Sequence, residues 1–299
     1  MTEPNLTTPG PNDDASGSGS AAHLLVGDTP VARYVLAPDL GVEHGLRPYL
    51  HPVRTLAGTV VTDALPADHV WHLGASLAVQ DVNGTNLWGG RTYVRDIGYV
   101  WRGDHGRIDH LGWEERRPDR LDQRLRWCDP TGAVLLTERR TLTASAVPDH
   151  PAAWRLDLAS TLTAPTGQDI VLGSPATNGR LGGAGYGGFF WRATAAEPPE
   201  VFAGELVGEE AVNGCDRPWV ALRGRAPTGA AYTLVFSGLS PGDRWFVRTT
   251  MYPGVCVAYA FEQTVTIPAG TSRHGHHRVV VVDGRLDPDA AAGLVARDG

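Results

Sequence analysis

The chain has 299 residues, 42% of them hydrophobic, and a formal net charge of −7. That length is enough to bury a large core, and the acidic balance argues against nucleic acid as a partner, because phosphate binding needs a basic face. All 26 basic residues are arginine, which excludes lysine Schiff-base chemistry and a P-loop.

No run of about 18 apolar residues occurs, so no membrane span is expected. The N-terminus has no basic region followed by an apolar core, so no secretory signal is expected either. Cys128, Cys215 and Cys256 are odd in number and far apart, with no C-x-x-C. They read as reduced thiols of a cytoplasmic protein rather than a disulfide framework or a zinc site.

Residues 1–21 are rich in Pro, Gly, Ser, Asp and Thr and read as a disordered tail that cannot offset its ordering entropy. From residue 22 to 299 the pattern is short strands and turns, read as a single domain. His23–Val26 and Val31–Leu36 predict two strands joined at Gly27-Asp28. His44–Pro52 contains two prolines and predicts an extended edge or loop, not a central strand. Gly58–Thr62 predicts a short strand. A turn at Leu65-Pro66-Ala67 leads into Asp68-His69-Val70-Trp71-His72, and the strand Leu73–Val79 follows, ending near the turn Asn83-Gly84.

Arg107–Trp113 alternates polar and apolar residues, the period of a half-buried strand. Leu121–Trp127 and Val134–Leu142 alternate around the turn Asp129-Pro130-Thr131-Gly132, and Trp154–Ala159 continues the meander. Residues 173–188 hold seven glycines. No strand–turn–helix unit surrounds them, so they read as a mobile loop feeding the aromatic strand Phe189–Arg192 rather than a dinucleotide site. Further strands are predicted at 219–222, 231–236, 246–250 and 255–261. Arg278–Val282 carries four consecutive valines, the mark of a strand buried on both faces. Only Pro288–Ala296 reads as a helix. The class is therefore all-β, a large two-sheet antiparallel β-sandwich.

Asp68, Trp71 and the imidazoles of His69 and His72 concentrate polar chemistry beside a core strand. At a loop-to-strand junction both imidazoles can reach one cavity, as acid/base groups or metal ligands. His110 lies on the next strand, two positions from Ile108, and is expected to assist them. His274-Gly275-His276 has an H-x-H spacing without a following carboxylate and reads as a polar strand start. Glu138, next to Arg139 and Arg140, reads as a cross-strand ion-pair partner. Arg47, Tyr49, Tyr186, Arg192, Arg248 and Tyr252 flank loops or strand ends, and aromatic faces ringed by such groups suit sugars. No Gly-x-Ser-x-Gly elbow is present, which argues against serine catalysis.

Arg47-Pro48-Tyr49-Leu50-His51-Pro52-Val53, Asp68 to Gly74, Asp81 to Trp88, Gly185 to Arg192 and His277 to Gly284 together resemble the bacterial family labelled PmoA, of unknown function. The likeness spans roughly residues 23 to 290. It implies a supersandwich similar to galactose mutarotase, with a sugar on a sheet face. This chain has Val70-Trp71 where Pro-His is usual, so the middle histidine of a triple is absent. The label's membrane-protein meaning is not carried over, because nothing here spans a bilayer.

The leading expectation is a carbohydrate-processing enzyme working by histidine proton transfer, an epimerase or lyase on a sugar or oxidised sugar. His69, His72 and His110 would be catalytic, and Arg47, Tyr49, Asp68, Tyr186 and Arg192 would bind substrate. The alternatives are a non-catalytic sugar-binding sandwich, a metal-dependent lyase or oxygenase at His69/His72, and an oligomeric structural protein. The sequence names no cofactor and allows a homo-oligomer without requiring one.

Overall fold

The computed structural model describes residues 21–296. The tail expected over residues 1–21 therefore lies outside the described residues, except for Ala21, which opens the first strand.

Two large sheets form the body. In spatial order the seven-stranded sheet runs Ala21–Val26, Thr29–Val35, Tyr49–Val53, Ala75–Ala78, Gly188–Arg192, Gly254–Ala258 and Arg244–Arg248. The nine-stranded sheet runs Leu206–Val207, Glu200–Ala203, Trp219–Arg225, Ala231–Ser237, Ser272–Asp283, Ala153–Thr163, Val134–Ala146, Arg120–Cys128 and Arg107–Arg117. Neighbouring strands pair antiparallel throughout both sheets. The architecture is the expected two-sheet β-sandwich.

Period-2 alternation builds the core between the sheets. Leu77, Phe189, Trp191, Val247 and Val257 point inward from one sheet, and Leu136, Leu142, Leu156, Leu158 and Val279 from the other. Each such side chain contributes about 2 kcal/mol by leaving water. The four-valine strand is buried on both faces, as its composition predicts. Val279 and Val281 join the central core, while Val280 and Val282 pack under the helix Pro288–Ala296 through Ala291 and Leu294.

The core also encloses a polar chain. Glu138 and Arg140 share the inward face of Val134–Ala146, where two positions apart means the same side, and pair at 2.7 Å. Trp127 donates to Glu138 at 2.7 Å, and Arg140 and Gln123 both donate to the Tyr34 hydroxyl, at 2.9 and 2.6 Å. Glu138 is thus paired within its own strand and not across strands.

Two expectations are corrected. Gly58–Thr62 forms no strand; it makes only an isolated bridge between Val60 and Arg54. The proline-containing segment does form a strand, Tyr49–Val53, inside the seven-stranded sheet. A bulge tolerates its proline: Val53 opposes Ala32 and Leu50 opposes Tyr34, so His51 and Pro52 together face Arg33 and no ladder donor is missed.

Candidate functional site

The same alternation that sends Phe189 and Trp191 into the core sends Phe190 and Arg192 outward. Ala78, Phe246, Cys256 and Ala258 share that outer face. An outer face this apolar needs a cover. Loops supply it with Trp88, Tyr186, Tyr252 and the half-buried Trp71. Burial among these rings pushes the Cys256 thiol up to about 12, so it stays protonated and inert.

Between floor and cover lies a cavity of about 350 Å³, at the small-molecule scale. His69 and His72 line it beside Trp71, Trp88, Tyr186 and Tyr252. Arg91, Tyr99, Trp101, Arg180 and Arg248 complete much of the remaining wall. Tyr99 belongs to the hairpin Thr92–Val94/Gly98–Val100, and its hydroxyl lies 3.0 Å from that of Tyr186. Gly90 makes room for the Trp71 indole: its φ of +68° is left-handed, and a Cβ there would fall 2.6 Å from the ring.

The two imidazoles are stacked, with centroids 4.7 Å apart and planes 12° from parallel. The Tyr252 ring packs on both, at 4.7 and 4.8 Å. Behind them Arg192 grips Asp68 with one nitrogen 3.0 Å from each carboxylate oxygen, and its other terminal nitrogen donates to His72 Nδ1 at 3.4 Å. His72 is thereby an acceptor at Nδ1, and its proton sits on Nε2. His69 Nδ1 lies 3.2 Å from Asp68 Oδ2, off the hydrogen-bond direction.

Burial is the largest cause lowering both imidazole pKa values. For His69 the Asp68 carboxylate opposes it in part; for His72 the charges of His69, Arg192 and Arg47 add to it, carrying the pKa well below the ordinary value. Both rings are neutral at pH 7. Burial pushes the Asp68 carboxyl up, but the charge and hydrogen bonds of Arg192 outweigh it and leave the group below its usual range. Burial raises the Tyr99 phenol and raises Tyr186 well above its ordinary value, so both stay protonated.

The structure thus brings together His69, His72, Asp68, Arg192 and Tyr186, and separates the other three expected residues from them. His110 lies in the nine-stranded sheet, is bound to Gln123 at 2.7 Å, and does not line the cavity. Tyr49 is buried with Val35 and Leu73 in a separate apolar cluster. Arg47 is fully buried and holds backbone, not substrate: it donates to the carbonyls of Gly45, Trp88 and Trp71 and to the Ser76 hydroxyl. Without a carboxylate to offset burial, its guanidinium falls to about 9. It still positions Trp71 and Trp88, which do line the cavity.

Arg91, Tyr99, Trp101 and Arg180 escaped sequence reading because they come from a short hairpin and the glycine-rich loop, which carry no motif. That loop is packed rather than open at its end, with Ala184 and Tyr186 buried. His105 lies behind the wall, 2.7 Å from the Gly90 carbonyl.

Among the described residues no three His, Cys, Asp or Glu side chains are grouped to hold a metal ion. The His72 nitrogen on the Asp68 side faces the Arg192 cation, which leaves the expected His69/His72 metal alternative without a third ligand. His274, His276 and His277 diverge instead to Thr161, Asp157 and Tyr259. No helix among the described residues is long and apolar enough to cross a membrane.

Solved structures with some likeness include heparan sulfate lyase HepC from Pedobacter heparinus, at 8% identity and a TM-score of 0.28 over 61% of this chain and 23% of that one. The chain therefore spans about a quarter of that protein. A protein provisionally named aldose 1-epimerase from Escherichia coli K12 is 12% identical, with a TM-score of 0.38 over 88% of this chain and 99% of that one. Galactose 1-epimerase from Lactobacillus acidophilus NCFM is 8% identical, with a TM-score of 0.35 over 89% and 98%. Likeness at this level carries no argument about this chain, and the sandwich rests on the strand pairing above. No curated protein matches. None of the comparisons attaches the PmoA label that the residue resemblance suggested; what they support is a family whose model matches residues 21–296. The chain belongs to that family, the Family of unknown function (DUF6807).

Proposed function

We propose that the protein is a carbohydrate-processing enzyme that works by histidine-mediated proton transfer. The observation that carries this reading is the stacked His69–His72 pair in the wall of an aromatic cavity, with Arg192 donating to His72 Nδ1 and Asp68 beside His69 Nδ1. Flat aromatic faces suit the apolar side of a sugar ring, and the phenols and imidazoles suit its hydroxyl rim.

In this reading His69 Nε2 is the base. It takes a proton from the substrate, and the charge that develops on His69 is met by Asp68 at Nδ1. His72 gives no proton away. Its Nε2–H and one hydroxyl of the Tyr99–Tyr186 pair, the other donating within the pair, give hydrogen bonds to the oxygen on which negative charge grows. Return of the proton from His69 to the opposite face, after the planar intermediate has turned over in the cavity, gives epimerisation; departure of a leaving group with its electron pair, protonated by His69, gives elimination instead. Arg192 is a positioning residue, because it fixes both Asp68 and the tautomer of His72.

The test is a panel of aldoses, ketoses and sugar acids followed by NMR in heavy water, for wild type and His69→Gln. Exchange at a sugar carbon or product formation is expected, with a loss of about a hundredfold or more in the variant. Turnover unchanged in His69→Gln overturns the assignment. Sugar binding without turnover, insensitive to either histidine, makes the protein a binding module instead.

A further inference from the structure

The cavity has a charge character that its carbohydrate reading does not require. Three arginines, Arg91, Arg180 and Arg248, contribute to its wall, and no Asp or Glu does. This occurs in a chain whose net charge is −7. The carboxylates nearby are already engaged. Asp68 is held through both carboxylate oxygens by one terminal nitrogen of Arg192. Glu209, 3.6 Å from Arg248, accepts hydrogen bonds from the backbone amides of Thr249 and Thr250, at 2.7 and 3.1 Å.

Several arginines elsewhere in the molecule are neutralised in pairs. Arg107 and Arg126 share Asp109, and Arg120 and Arg139 share Asp122. Arg91 and Arg180 have no carboxylate partner among the described residues; each rests on an aromatic face instead. The Arg180 guanidinium carbon lies 5.0 Å from the centroid of Tyr99, and that of Arg91 lies 6.0 Å from Trp101. Stacking orients a guanidinium and leaves its N–H edges unused. Two oriented, unneutralised cations at one cavity form a receptor for an oxyanion.

We propose that the cavity takes an anionic sugar, a ring carrying a carboxylate, sulfate or phosphate that Arg180 and Arg91 receive, with Arg248 adding positive field. The proposal rests on the carbohydrate reading above and narrows its substrate class. Neutral sugars would leave both guanidinium edges to water and gain nothing from them.

The test is isothermal titration calorimetry on the intact protein with pairs of matched stereochemistry: glucose with glucuronate, galactose with galacturonate and mannose with mannuronate. Glucose 6-phosphate and glucose 6-sulfate distinguish the other sources of the anion. Wild type, Arg180→Gln and Arg91→Gln are compared, with circular dichroism confirming the fold of each. At least one charged sugar should bind about tenfold to a hundredfold more tightly than its neutral partner, and lose about tenfold in either variant. The tightest arm identifies the anion.

Equal binding of charged and neutral partners overturns the proposal and leaves the carbohydrate reading standing. So does a charge preference that persists in both variants, since the anion is then held elsewhere. If no sugar of either kind binds up to about 10 mM, the carbohydrate reading fails and takes the proposal with it.

Discussion

His277 makes stability depend on pH in a way that can be worked out from its surroundings. Its ring is buried against Phe189, stacked at 5.7 Å with planes 5° apart. Nδ1–H donates to the Gly238 carbonyl at 2.9 Å, so Nε2 accepts from the Tyr259 hydroxyl at 3.0 Å. Protonating Nε2 would turn that bond against itself, beside an Arg273 guanidinium 4.3 Å over Tyr259. Burial is the largest cause, and the pKa is pulled down from 6.5 to about 4. Between those values the unfolded chain binds more protons than the folded one, so stability is full above pH 6.5 and falls as the pH is lowered towards 4. The loss attributable to this one group is about 2 kcal/mol at pH 5, approaching about 3 kcal/mol at lower pH. Urea unfolding at pH 7 and pH 5 measures it, comparing wild type with His277→Gln, whose amide can still serve Gly238 and Tyr259 but does not titrate. Wild type should lose about 2 kcal/mol more than the variant between the two pH values. Equal losses in both proteins would refute the reasoning.

Two further predictions concern the polar chain inside the core. Tyr34→Phe removes the acceptor that Arg140 and Gln123 share and should cost about 3 kcal/mol in the urea midpoint analysis, because two buried donors lose their partner. Glu138→Gln leaves the Arg140 charge uncompensated where both side chains are at most 1% exposed. It should cost about 4 kcal/mol, and a cost below about 1 kcal/mol would show that water reaches the pair.

The fold was legible because alternation is a local signal that burial enforces. Val134–Leu142 and Trp154–Ala159 show it plainly, and the four valines at 279–282 show its exception, a strand covered on both sides. Gly58–Thr62 has strand composition but no neighbour to complete a ladder, and composition cannot report a missing neighbour. The site was legible only where it is local. Asp68, His69 and His72 lie within five residues, so the sequence places them together. The proposed partner of Asp68 and His72, Arg192, lies 120 residues beyond His72, and only pairing of Gly188–Arg192 with Ala75–Ala78 brings it there. Arg47 and Tyr49 were drawn to the site by chemical type alone; burial then directed one to carbonyl oxygens and the other to an apolar cluster. His110 failed for a related reason: two positions from the core residue Ile108, it shares that residue's face of the strand, but alternation does not say which of the two large sheets the strand joins.

The strand Gly188–Arg192 serves two masters. Its odd-numbered residues Phe189 and Trp191 fill the core, while on the other face Phe190 backs His72 and Trp88 and Arg192 grips Asp68. A one-residue slip would carry the Arg192 charge into the apolar interior and swing the Trp191 indole out among the imidazoles. Insertions and deletions in this stretch are therefore penalised twice, once in folding and once in chemistry. Variation that retunes the pocket has to enter through the covering loops, where side chains can change without shifting the ladder.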